Sequence, residues 1–130
     1  MIVLDASVAV QMLLGDDAGA AMAERLAASG EPVAVPHLLD IEVTSAFRAL
    51  VRSRSATPAE ATQAITNLAS LRITRHSHQA LLVRVWDLRH VLTPYDAAYV
   101  ALAEALHATL WTRDAGLARA TGVHCRIELL

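Results

Sequence analysis

Short apolar runs alternate along this chain with longer stretches of helical period, and few folds accept that alternation. Met1-Ile2-Val3-Leu4, Val33-Ala34-Val35, Arg72-Ile73-Thr74-Arg75, Ala108-Thr109-Leu110-Trp111-Thr112 and Arg126-Ile127-Glu128-Leu129 read as strands. The segments between them are long enough for helical crossovers, which parallel strands require and hairpins do not. The pattern therefore predicts an α/β chain, with a mostly parallel sheet covered by helices on both faces. Ser7 is the expected N-cap of a helix running through Leu14, and Ala18 to Ala28 is a second. Longer helices are expected from Leu38 to Arg52, from Pro58 to about Leu71, and from His78 to His90. Two more are expected from Pro94 to Leu106 and from Asp114 to Thr121. Leu81 and Val85, with Tyr99 and Leu102, are expected to pack on the sheet as core positions without a functional role.

At 130 residues the chain holds one domain, and no repeat or linker divides it. With 26 alanines and one Phe, its core should be small helices set close on the sheet. No apolar stretch approaches the roughly 20 residues needed to span a bilayer. The opening apolar run is too short for a signal peptide, so a cytoplasmic protein is expected. The single cysteine, Cys125, lacks a partner for a disulfide or a zinc site and reads as apolar filler. Net charge is −2, which argues against a general nucleic-acid coat. All 11 basic residues are arginine, however, and arginine gives planar two-pronged contacts to phosphate.

Four acids stand where such a fold puts its chemistry. Asp5 closes the first strand, Asp114 follows the fourth, and Glu42 and Asp96 lie near the starts of their helices. In a parallel sheet all four can reach the rim formed by the strand C-termini. Each also has a plain structural explanation. Asp5 could begin a turn, Glu42 suits a helix start, and Asp114 could cap the helix after strand four. Asp96 has the strongest such explanation, because Thr93-Pro94-Tyr95-Asp96 repeats the capping pattern of Thr57-Pro58-Ala59-Glu60. Together, four carboxylates would repel one another unless protonated or neutralised. An oxygen-only set selects a hard divalent ion, Mg²⁺ or Mn²⁺, and with it phosphodiester hydrolysis.

Other chemistries find less support. His76 and His78 are two apart on an expected loop, and His37, His90, His107 and His124 are scattered at element ends. Ser7 has no nucleophile-elbow setting, and the five glycines form no phosphate-binding array.

The chain resembles the PIN-domain family, and within it the VapC-type toxins of bacterial toxin–antitoxin pairs. The residues that carry the resemblance are Asp5-Ala6-Ser7, Glu42-Val43 with Ala46-Phe47-Arg48, Tyr95-Asp96-Ala97 with Ala101-Leu102-Ala103, and Leu110-Trp111-Thr112-Arg113-Asp114 with Leu117. The resemblance implies a three-layer α/β/α fold and a Mg²⁺- or Mn²⁺-dependent endoribonuclease. It also implies a protein antitoxin seated in the toxin's groove, and commonly a homodimer. By position, Asp5 and Asp96 resemble the principal metal ligands, Asp114 the third pocket acid, and Glu42 the acid that holds a second metal or orients water. Ser7 and Thr112 resemble supporting hydroxyls. Arg48, Arg52 and Arg113, with Arg54, are candidates for guiding the RNA backbone. Two departures stand out: Ser45 where the family often has Asn, and Gly116 where many members carry a further acid. A weaker second metal site is the expected consequence. The alternatives are a non-catalytic PIN-like module whose acids dock a partner's arginine, and a small phosphatase or receiver domain. The phosphatase would want an Asp-x-Asp where Ser7 stands, and the receiver domain its usual Lys.

Overall fold

Five short strands lie side by side in the order β3-β2-β1-β4-β5, and every neighbouring pair is parallel. They are β1 (Ile2–Leu4), β2 (Val33–Pro36), β3 (Thr74–His76), β4 (Thr109–Thr112) and β5 (Ile127–Leu129). The computed structural model describes residues 1–130. The chain runs outward from β1 through β2 to β3, then returns across the sheet to place β4 on the other side of β1. That reversal makes β1 and β4 neighbours, with Val3 opposite Leu110 and Leu4 opposite Trp111. A crevice opens beyond the strand C-termini at such a switch point.

The connections are helical. Between β1 and β2 come α1 (Ala6–Leu14) and α2 (Asp17–Ser29), and between β2 and β3 come α3 (Leu38–Arg52) and α4 (Pro58–Ser70). The return to β4 runs through a 3₁₀ turn (Gln79–Leu81), α5 (Leu82–Asp87) and α6 (Pro94–Ala105), and α7 (Ala115–Ala118) leads to β5. Right-handed crossovers put the helices before β3 on one face and those after it on the other. The packing agrees: α1, α3 and α4 pack together, while α6 lies across β1, β2 and β4 with α5 against it. The expected α/β/α architecture is the one found.

The alanines do their work in α6. Ala97, Ala98, Tyr99, Val100, Ala101, Leu102 and Ala103 are all buried, so the middle two turns of this helix are enclosed on every side and sit close to the strands. All three residues of β1 are buried as well, as expected for a central parallel strand. Cys125 packs against the core edge, where burial pushes its thiol up to about 11.

Several boundaries differ from expectation. The first helix is capped by Asp5 and not by Ser7, and the Asp5 side chain makes no capping bond because other donors hold it. The third strand is shifted to Thr74–His76. The expected helix from His78 to His90 is broken into the 3₁₀ turn and the short α5. Beyond it the N–H groups of Val91 and Leu92 both donate to the Leu88 carbonyl, a tight turn at the buried Leu88. The helix after β4 stops at Ala118, well before Thr121.

Candidate active site

Asp5 leaves the end of β1 buried, at 7% exposure, a position that a carboxylate tolerates only with donors around it. Two hydroxyls supply them. Ser7 Oγ donates to Asp5 Oδ2 at 2.5 Å, and Thr112 Oγ1, from the end of β4, donates to the same oxygen at 2.8 Å. Each hydroxyl in turn accepts a backbone N–H from the loop after β4, Ser7 from Arg113 at 3.0 Å and Thr112 from Asp114 at 3.0 Å. A hydroxyl has one proton, so these backbone donors orient both protons onto Asp5. Ser7 and Thr112, the two hydroxyls expected beside the pocket acids, thus both bond Asp5.

We expect Thr112→Val, nearly isosteric and fully buried, to cost about 1–3 kcal/mol, because it strips a donor from Asp5 and an acceptor from the Asp114 N–H. Equilibrium denaturation measures that loss, and Thr112→Ser should restore most of it. Wild-type stability in the valine variant would show the relay to be idle.

Asp96 and Glu60 share a sequence pattern, and the structure separates them. Glu60 closes a full capping box: its Oε2 accepts from both the N–H and the hydroxyl of Thr57, and its carboxyl is held below its ordinary value. Asp96 receives only the Thr93 hydroxyl, at 2.9 Å, and no bond from the Thr93 N–H. Burial, with the charges of Asp5 and Asp114, raises its carboxyl above the usual carboxylate range despite that bond. One capping acid is therefore stabilised as an anion and the other is strained as one.

Glu42 lies half-buried in the second turn of α3, and its Oε2 accepts from the hydroxyl of Tyr99 at 2.5 Å. Burial raises its carboxyl, with smaller contributions from Asp5 and Asp96. Tyr99, expected to be plain core, is fully buried and also bonds one of the four candidate acids. The signal for it was available, because a buried phenol needs a hydrogen-bond partner and Tyr99 lies one helical turn beyond Asp96. Asp114 is exposed and caps α7, its Oδ1 accepting from the N–H groups of Gly116 and Leu117. Its structural explanation, as the cap of α7, is the one these bonds show.

Glu42 thus feels the charges of Asp5 and Asp96, and Asp96 those of Asp5 and Asp114. No arginine is among the charges acting on Glu42 or Asp96. Each acid also has one oxygen held by protein donors and one without any: Asp5 Oδ1, Glu42 Oε1, Asp96 Oδ1 and Asp114 Oδ2. None of these is sealed from solvent without a partner. As the side chains stand, no three acids, histidines or cysteines are grouped closely enough to hold one ion. In chemistry the donor set fits a hard divalent cation, with free carboxylate oxygens only and excess negative charge. In position it is an open rim and not a closed shell.

The arginines lie elsewhere. Arg48 and Arg52 line a groove of about 520 Å³ between α3 and α4, whose walls include Phe47, Val51 and Ile65. Neither arginine pairs with an acid. The Arg113 guanidinium bonds Gln11 Oε1, on the side of Asp16, and so is engaged within the protein.

The PIN domain family matches residues 2–123. Over 130 residues the chain is 42% identical to Ribonuclease VapC12 of Mycobacterium tuberculosis, covering all of this chain and 99% of that protein. It is 38% identical to Ribonuclease VapC9 of the same organism, covering all of this chain and 98% of that one. Among solved structures, VapBC2 from Rickettsia felis bound to a promoter DNA fragment has a TM-score of 0.70 at 17% identity, covering 99% of this chain and 98% of that one. Mycobacterium tuberculosis VapC20, a sarcin-ricin loop cleaving toxin, has a TM-score of 0.69 at 20% identity, covering 95% and 97%. At such identities the two structures speak for the fold alone. With a family match over nearly its whole length and full-length relatives at about 40% identity, this chain belongs to the PIN-domain family.

Proposed function

We propose that this chain is an endoribonuclease toxin of a type II toxin–antitoxin pair, and that its cleavage of RNA depends on Mg²⁺ or Mn²⁺. The observation that carries the reading is the rim of four carboxylates at the β1/β4 switch point, each with a free oxygen and no arginine offsetting Glu42 or Asp96. Full-length relatives named as ribonucleases support the same reaction class.

Asp5, Asp96 and Asp114 would hold the ion. When bound, it supplies a Lewis acid for a phosphate oxygen and a more acidic water. Asp5 is the fixed point, since the hydroxyls of Ser7 and Thr112 leave it one free direction. Asp114 is kept in place by its helix-capping bonds, and Asp96 by Thr93. Glu42 would orient water for in-line attack on phosphorus as the P–O3′ bond breaks, so the products would carry 5′-phosphate and 3′-hydroxyl ends. With Ser45 exposed and Gly116 lacking a carboxylate, one tight ion per site is the expected stoichiometry before RNA binds.

The RNA is proposed to be structured, with an unpaired loop presented to the rim. The groove between α3 and α4 suits the antitoxin better than RNA, because its apolar walls match an amphipathic peptide and Arg48 and Arg52 match acids flanking it. A homodimer would cover Val83, Trp86 and Tyr95, which stand 76%, 66% and 59% exposed on α5 and at the start of α6. No helix is long and apolar enough to cross a membrane.

The test is cleavage of a structured RNA with EDTA present and then with Mn²⁺ restored. Activity should vanish and return, with 5′-phosphate ends on the product. Cleavage indifferent to EDTA would remove the metal from the reading. No cleavage under any condition would favour the binding-module alternative.

A further inference from the structure

We propose that Tyr99 is the positioning residue of the site, setting the Glu42 carboxylate so that Oε1 is the oxygen offered to the ion or its water. The inference rests on the metal-site reading above and assigns a residue to it that the acids alone do not reveal. Glutamate is the longest of the four acid side chains and loses the most rotamer freedom when immobilised. Asp5, Asp96 and Asp114 are each held by a hydroxyl or by backbone N–H groups. Glu42 is held by the Tyr99 hydroxyl alone, at 2.5 Å. Ser45, one turn further along α3, is exposed and makes no bond to it.

The donor itself cannot wander. Tyr99 is fully buried in the enclosed middle of helix α6, which packs across the strands. An ionised carboxylate only accepts, so the phenol is the donor and its single proton is committed to Oε2. Tyr99 lies three residues after Asp96, on the same face of α6. One rigid helix therefore presents one acid of the site directly and steers a second through its hydroxyl. The bond also joins α3, on one face of the sheet, to α6 on the other, so the opposing walls of the rim are tied at this point.

The test is Tyr99→Phe, assayed by Mn²⁺ calorimetry without RNA and by steady-state cleavage. Loss of an orienting partner of this kind costs about 10–100-fold in metal affinity. Mn²⁺ binding should weaken by about that factor, and kcat should fall with KM for RNA unchanged. Added to Glu42→Ala, which removes the acceptor, the phenylalanine substitution should cause no further loss, because the two act through one bond. Wild-type Mn²⁺ affinity together with wild-type kcat in Tyr99→Phe, or losses that simply add in the double variant, would overturn the assignment while leaving the metal site standing. A wild-type protein that takes up no Mn²⁺ would overturn both. Should Tyr99→Phe fail to fold, the Tyr99 hydroxyl proton can be followed by NMR. It should exchange slowly in wild type and much faster in Glu42→Ala, and equal rates would count against the bond.

Discussion

Asp96→Asn should lose cleavage by at least roughly 10²–10³-fold and yet, in metal-free buffer at neutral pH, melt at a higher temperature than wild type. The two halves have one cause. Burial first, and then the charges of Asp5 and Asp114, raise the Asp96 carboxyl above its ordinary value. Between the ordinary value and the raised one, the folded chain keeps a proton that the unfolded chain has released. Stability therefore falls as pH rises through that window, and above it the folded protein carries the whole penalty of an anion among anions. Asparagine keeps an acceptor for the Thr93 hydroxyl and removes the charge. The advantage of the variant should disappear once pH drops below the ordinary carboxylate range, where both proteins are neutral at this position. Added Mn²⁺ should raise the wild-type melting temperature and move the variant little. Thermal melts at several pH values, with and without Mn²⁺, check every limb. A variant less stable than wild type at neutral pH in EDTA would mean that the acid is a helix cap like Glu60 and not a strained member of a site.

Gly19→Ala should destabilise the fold by about 1–3 kcal/mol or more, although alanine is the better helix former by about 1 kcal/mol. Gly19 lies in the first turn of α2, where a Cβ would stand 2.1 Å from the carbonyl oxygen of Gln11 on α1. That oxygen is backbone within a packed helix, so relief requires moving one helix against the other. The Gly19 N–H also donates to Asp16, both of whose oxygens accept from Gln11 Nε2, so the shift would strain a polar joint. Chemical denaturation reads the sign directly. Destabilisation supports the close approach of α1 and α2, and stabilisation would mean that helix propensity wins and the contact is soft. The four acids are not part of this contact, so the folded fraction should retain its cleavage rate per molecule.

How much of this was legible beforehand depends on what each residue's signal encodes. Apolar alternation located all five strands, and helical period with capping residues located the long helices, because burial on a sheet or a helix face leaves its mark in sequence. The expected helix from His78 to His90 failed for a tertiary reason: the chain turns at the buried Leu88 where local pattern would continue a helix. Ser7 was misplaced as a cap because its hydroxyl is claimed by Asp5, a contact that also depends on β4 arriving alongside. Arg113, a candidate for the RNA backbone, is engaged by Gln11 from a helix distant in sequence.

The chain by itself determined that strands would be parallel, that helices would cover them, and which carboxylates would stand at element ends. These follow from local rules, since period, capping and turn chemistry act over a few residues. Tertiary structure alone decided that β4 lies beside β1, that Asp96 is strained where Glu60 is content, and that Tyr99 reaches Glu42. Each of those depends on groups many positions apart sharing one low-dielectric space. Local pattern states that a side chain is buried, but only the fold states what it is buried against.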